Sequence, residues 1–271
     1  MYGIIIAFKD FNVKAGILGS PWAGFKHFKR LFLDPEFFKI IRNTLLINLY
    51  QLLFAFPAPV VFAIMLNEIG SKRYRRFIQT ATYLPHFISW VVMAGLLIYF
   101  LSPTNGIVNY VLKALTGKTI YFMSKKEYFR SIIVISGIWK EIGWNSIIYM
   151  AAIAAIDQSQ YEAAICDGAN RFQRMWHITI PSILPTVSVL LIMSLGSFLG
   201  SNFDQVFNLL NPVLYETGDV FDTYVYRVGL TQFQYSYTTA IGLFRSVVGM
   251  ILIVIANFLS NKLSNGEVGM W

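Results

Sequence analysis

Thr44–Leu66 runs for 23 residues without a charged side chain. As a helix it would cover about 34 Å, enough to cross the ~30 Å hydrocarbon core of a bilayer. Comparable stretches recur at Phe77–Leu101, Ser131–Ile156, Ile183–Phe203 and Thr239–Ser260. Only 13% of the 271 residues are charged, against about 25% in soluble domains. The sequence therefore predicts an all-α integral membrane protein, a single multi-pass domain over 1–271 with five complete spans. Basic residues outnumber acidic ones by 22 to 14. In a chain this apolar they are the juxtamembrane Lys and Arg of a membrane protein rather than a nucleic-acid surface. One cysteine, three scattered histidines and the lack of a GxxxxGK[ST] loop predict no internal disulfide, no metal site and no ATP site in this chain.

Met1–Phe8 is apolar but too short to span, and without a basic flank or cleavage site it does not read as a signal peptide. It is expected to be the end of a truncated first span. Gly24–Leu33 alternates Phe25, Phe28, Leu31 and Phe32 with Lys26, Lys29 and Arg30. That pattern fits a helix either lying on a membrane surface or packed on the protein. Pro57 and Pro59 predict a kink in the first span, and Lys140-Glu141 interrupt the third. The basic loop Asn67–Arg76, the loop 157–181 and the C-terminus share one side if five spans alternate. Asn67–Arg76 carries four basic residues in ten, which predicts that this side is cytoplasmic. The total Lys and Arg count favours the opposite side, but much of it lies in long loops, which translocate largely regardless of charge.

The loop between the third and fourth spans is unusually well punctuated. Ser159 and Glu162 have the spacing of a capping box, predicting a helix that starts at Ser159 with Glu162 reaching back. Gly168 stands where a helix end needs a left-handed residue. Asn170 can cap a second short helix holding Phe172, Trp176 and Ile178, which Pro181 is expected to end.

Glu162-Ala163-Ala164, then Asp167-Gly168-Ala169, then Ile178-x-Ile180-Pro181 and Pro185, resembles the cytoplasmic EAA loop of ABC importer permeases, most of all the maltose-type carbohydrate permeases. The likeness extends to the basic loop before Phe77, to Tyr83-Leu84-Pro85 and to the order of spans. The opening, MYGIIIAFKDFN and GILGSPWAGFKHF, resembles the branch that imports complex oligosaccharides, including fragments of acidic polysaccharides. The resemblance implies a type I ABC importer transmembrane fold in a bacterial cytoplasmic membrane, with a coupling helix seated in a separate ATPase. Glu162 would meet a basic residue of that ATPase, Ala163 and Ala164 would pack closely, and Asp167, Gly168 and Ala169 would form the turn. ATP and Mg would be bound by the ATPase dimer; a second permease and an external solute-binding protein would complete the assembly.

For the substrate pathway, Ser194, Ser197, Ser201, Asp204 and Asn208 fall on one stripe if helix continues past Phe203, flanked by Asn202 and Gln205. Trp144, Asn145 and Tyr149, with Trp139, offer a second group that could stack on and hydrogen-bond a sugar, or belong to an interfacial belt. Arg245 should face the interior, pair with an acid, for which Asp204 is a candidate, or touch substrate. Gly242, Ser246 and Gly249 read as helix packing. The prediction is a non-enzymatic channel-forming subunit for oligosaccharide import. The alternatives are a permease for a non-sugar solute and an ion-coupled secondary transporter.

Overall fold

The computed structural model describes residues 2–196, 198–200 and 202–263. Within them the chain is built from helices: α1 (Lys26–Leu33), α2 (Pro35–Asn67), α3 (Lys72–Tyr83), α4 (Trp90–Phe100), α5 (Ile107–Thr116), α6 (Lys126–Ala154), α7 (Gln158–Cys166), α8 (Arg171–Gly196), α9 (Phe203–Leu209), α10 (Phe221–Val225) and α11 (Tyr235–Leu263), with shorter turns between. Their contacts divide them into two compact units. One draws on Met1–Leu49, Trp90–Ile133 and Leu195–Val254; the other on Tyr50–Ser89, Val134–Ser194 and the chain from Ile255 onward.

Among the described residues three helices are long and apolar enough to cross a membrane, α2, α8 and the Tyr235–Ile255 part of α11, and the bent pair α3–α4 makes a fourth if it is one span. The prolines of α2 do not end it. A π-turn over Gln51–Ala55, in which the Phe56 N–H reaches the Gln51 carbonyl at 2.9 Å, widens the helix just before Pro57. The span expected at 77–101 is not straight. Lys72–Phe87 and Trp90–Phe100 meet at 104°, because Pro85 tightens the chain into a 3₁₀ turn over Leu84–Phe87 and Ile88 is extended. The stretch expected at 131–156 falls on α6, which starts earlier, at Lys126, and stops at Ala154, 29 residues long with Lys140 and Glu141 near its middle. The span expected at 183–203 begins earlier, at Arg171, and stops at Gly196.

In the first unit, Leu31 of α1, Phe37 and Ile40 of α2, Phe221 and Tyr224 of α10 and Tyr237 and Ile241 of α11 form one core. Ile47, Ala94, Phe129, Ile133, Val206 and Leu209 form another. Polar side chains secure the irregular backbone around them. Asn43 donates from its Nδ2 to the carbonyls of Glu216 and Asp219, both at 3.1 Å, and accepts from Arg130 at 3.0 Å. Asn48 Nδ2 donates to the Phe198 carbonyl at 2.6 Å, and Gln205 Nε2 to the Ile133 carbonyl at 2.6 Å. Without such donors these carbonyls would be desolvated and unpaired.

The second unit is centred on Ala63, Ile64, Tyr149, Ile153 and Ile183. Gly143 lets α6 press against α3: a Cβ there would fall 2.3 Å from the Thr82 carbonyl oxygen. Gly143→Ala should therefore lower thermal stability in detergent, with a cost of roughly 1–3 kcal/mol for overpacking. Gly95→Ala, with nothing within 4 Å of the added Cβ, should leave the melting temperature unchanged or slightly raised.

Candidate functional site

The loop between α6 and α8 is organised by caps at both of its helices. Asp157, extended at φ −61° and ψ 122°, is the N-cap of α7, its Oδ1 accepting the Ser159 N–H at 2.9 Å. The expected capping box between Ser159 and Glu162 is thus corrected. An acid two residues upstream takes the cap, where the positive end of the helix favours a carboxylate. The Ser159 N–H holds the Asp157 carboxyl below the usual carboxylate range. The cap's contribution is accordingly complete above the ordinary Asp pKa and is lost only as pH falls through the lowered folded value. Glu162 is left exposed, with no partner for its carboxylate among the described residues.

α7 ends as its sequence predicts. Gly168 has φ +81°, and its N–H bonds the Ile165 carbonyl at 3.0 Å while the Ala169 N–H reaches back to Ala164 at 2.8 Å. These two bonds make a Schellman motif. Asn170 and Gln173 then exchange bonds in a full capping box, at 3.0 and 2.8 Å. Pro181 does not end this second helix, as had been expected. A π-turn over Met175–Thr179 precedes it, and α8 runs unbroken from Arg171 to Gly196. Tyr161 joins α7 to that π-turn through a 2.8 Å bond to Thr179 Oγ1.

The result is an exposed, rigid knuckle. Glu162, Ala163, Cys166, Asp167 and Gly168 are exposed, Ala164 and Ala169 half-buried. Ala164, Asp167 and Gly168 with Gln173, Arg174 and His177 line a hollow of about 300 Å³. Arg174 Nε is buried there, without an acceptor among the described residues. Phe172 and Trp176, one helical turn apart, are 77% and 65% exposed. The sequence reading placed this pair on the short helix without giving it a role. Its i, i+4 spacing within an otherwise polar loop is the signal that marks it.

The residues expected along a substrate pathway fare unevenly. The single stripe from Ser194 to Asn208 does not exist, because the helix stops at Gly196 and restarts at Phe203 with Asn202 as its N-cap. Ser197 and Ser201 lie outside the described residues. Gln205 is buried and committed to the Ile133 carbonyl. Asp204 is exposed, and Asn208, half-buried, donates to the Asp204 carbonyl at 2.7 Å. Trp144 stacks on His86 at 4.3 Å with the ring planes 2° apart, and Phe87 meets it edge-on. Asn145 is exposed. Tyr149 is only 4% exposed and packs in the core of the second unit, so it presents no surface to a solute. Arg245 pairs with Asp222 rather than with Asp204.

Residues 55–265 match the family model described as the inner membrane component of binding-protein-dependent transport systems. The chain belongs to that family. Among its relatives, Protein LplB of Bacillus subtilis (strain 168) is 50% identical over 97% of this chain and 82% of its own length. The polygalacturonan/rhamnogalacturonan transport system permease protein YteP of the same organism is 45% identical over the whole of this chain and 84% of its own. Among solved structures, a bacterial ABC transporter involved in import of the acidic polysaccharide alginate has a chain 44% identical, with a TM-score of 0.89 over 96% of this chain and 87% of that one. A chain of a bacterial alginate ABC transporter in complex with its alginate pentasaccharide-bound periplasmic protein gives 42%, 0.90, 99% and 88%. The helical fold is that of a type I ABC importer permease, a multi-pass protein of the inner membrane.

Replacing Asn170 with Ala removes the bond from the Gln173 N–H to Asn170 Oδ1, leaves the Asn170 backbone N–H to Gln173 Oε1, and should cost about 1 kcal/mol. Asn170→Ser should retain most of the stability, as read by the melting temperature and by protease resistance of the loop.

Proposed function

We propose that this chain is a channel-forming permease subunit of an ATP-driven importer of oligosaccharides, and that the loop 157–181 is where a separate ATPase drives it. The observation that carries this reading is the knuckle itself. α7 is capped at both ends by the chain's own groups, yet presents an unpaired Glu162, a small-residue face at Ala163 and two exposed aromatic rings. Glu162 is suited to a charge-assisted bond with a basic side chain of the ATPase. A docked chain would also supply the acceptor that Arg174 Nε lacks and cover Phe172 and Trp176. In this reading the loop and the C-terminus are cytoplasmic, ATP and Mg are bound by the ATPase dimer, and this subunit performs no hydrolysis. A second, similar permease forms the other half of the pathway, and a solute-binding protein delivers the sugar from outside.

The chain would cross the membrane five times, through α2, the bent pair α3–α4, α6, α8 and α11. Trp144, Asn145, Asn202, Asp204 and Asn208 remain the candidates for contact with substrate, together with Ser197 and Ser201. Arg245 is already neutralised by Asp222 and would contribute to the pathway only as part of that pair. Relatives named for polygalacturonan, rhamnogalacturonan and alginate support an acidic oligosaccharide as the cargo.

The test uses the complete transporter reconstituted in vesicles. Glu162→Lys combined with Gly168→Pro should abolish uptake and the stimulation of ATP hydrolysis by substrate, while the permease still inserts and assembles in the membrane. Acidic oligosaccharides should stimulate hydrolysis in the wild type more than neutral ones of equal length. Uptake at the wild-type rate in the double variant would overturn the coupling role.

A further inference from the structure

The basic, aromatic helix α1 was expected either to lie on a membrane or to pack on the protein, and its two faces do one each. On the inner face, His27 Nε2 lies 3.2 Å from the Lys9 carbonyl and 3.0 Å from Asp10 Oδ1, and Leu31 is fully buried in the core with Phe37 and Tyr237. The outer face carries Phe25, Lys29, Phe32 and Leu33, at i, i+4, i+7 and i+8, all exposed. Leu33 is 81% exposed. A soluble surface rarely holds so many large apolar groups together with cations.

Two of the three basic residues are held in place. Lys26 pairs with Asp10 at 2.8 Å, and the Arg30 guanidinium lies 4.4 Å from the centre of the Tyr237 ring. Lys26, Lys29 and Arg30 line one open hollow of about 970 Å³ together with Phe25, Leu33 and Asp34, whose Oδ2 accepts from the Tyr224 and Tyr237 hydroxyls. The patch is continuous with membrane-spanning surface. α1 ends at Leu33, with Asp34 alone between it and Pro35, where α2 begins, and the Phe32 ring meets Phe37 of α2 and Phe244 of α11, at 6.1 and 5.8 Å between centroids. Phe37 is the third residue of α2 and Phe244 the tenth of α11, so Phe32 lies beside the first turn of one span and the third turn of the other. Aromatic rings and basic heads at that level are the composition of an interfacial helix.

We propose that α1 is an in-plane helix that seats an anionic phospholipid, its phosphate held by Lys29 and Arg30 with Lys26 alongside, and its acyl chains lying over Phe25, Phe32 and Leu33. Charge complementarity favours an anionic headgroup over a zwitterionic one, and the flanking apolar side chains favour a lipid over a free phosphate.

Native mass spectrometry of the assembled transporter, titrated in detergent with phosphatidylglycerol or phosphatidylcholine, tests this. Phosphatidylglycerol should bind the wild type with clear preference. In Lys29→Gln/Arg30→Gln its affinity should fall about tenfold or more, while phosphatidylcholine binding stays unchanged. Glycerol phosphate, which shares the anion without the chains, should not displace the lipid. Equal affinity for the two lipids in the wild type, or unchanged phosphatidylglycerol affinity in the variant, would refute the site. Displacement by an acidic trisaccharide or by the solute-binding protein would reassign the surface to that partner. If the double variant does not assemble, Lys29→Gln alone gives the reading, since Lys29 makes no side-chain hydrogen bond among the described residues. Loss of preference there supports the site, and unchanged preference overturns it.

Discussion

Backbone that leaves the helical path at membrane depth must find new partners for its N–H and C=O groups, and the irregular parts of this protein depend on that requirement. The partners are a few long polar side chains reaching from neighbouring helices. Asn48 serves the carbonyl of Phe198 beyond the end of α8, and Asn43 serves Glu216 and Asp219. In the other unit Lys140, 4% exposed, donates to the carbonyls of Pro85 and His86 at the bend between α3 and α4. The charge that interrupts α6 in the sequence is therefore spent where a helix has been broken. Glu141 beside it meets His86 at 2.7 Å and the Lys140 ammonium at 3.6 Å, so the two adjacent charges pair with each other as well as with the bend.

The sequence was most legible where one physical rule acted alone. Uncharged length marked where apolar helices would lie, and Gly168 and Asn170 announced their caps because nothing nearby competes for those positions. Reading became unsafe where two rules met. Ser159 and Glu162 have good capping chemistry, but Asp157 has better chemistry at an earlier position. Pro57 and Pro181 should break helices, yet a π-turn immediately before each keeps its helix running. The polar stripe at 194–208 required an unbroken helix, and the periodicity of serines carries no record of the break at Gly196. Tyr149 has a polar tip that suggests binding, but its ring fills the core beside Ala63 and Ile183. Of the fates open to Arg245, an acid partner or contact with substrate, the structure shows the acid. That the acid is Asp222 depends on a fold over twenty intervening residues that no local pattern encodes.

The knuckle and the interfacial helix use their side chains in the same way. Each devotes one face to fixing itself, through Tyr161 to Thr179 in one case and His27 and Leu31 in the other. Each leaves on its outer face groups that cost free energy to keep in water. Ordering is thus completed during folding, and little further conformational entropy need be lost when a second surface arrives.

The unbroken course of α8 has a mechanical consequence. Twenty-six residues make a rod about 39 Å long, beginning three residues past Gly168. A tilt of about ten degrees imposed at the knuckle would carry the far end of that rod through about 7 Å, roughly the diameter of a sugar ring with its hydroxyls. A helix that had ended at Pro181 would have lost that leverage at its first joint.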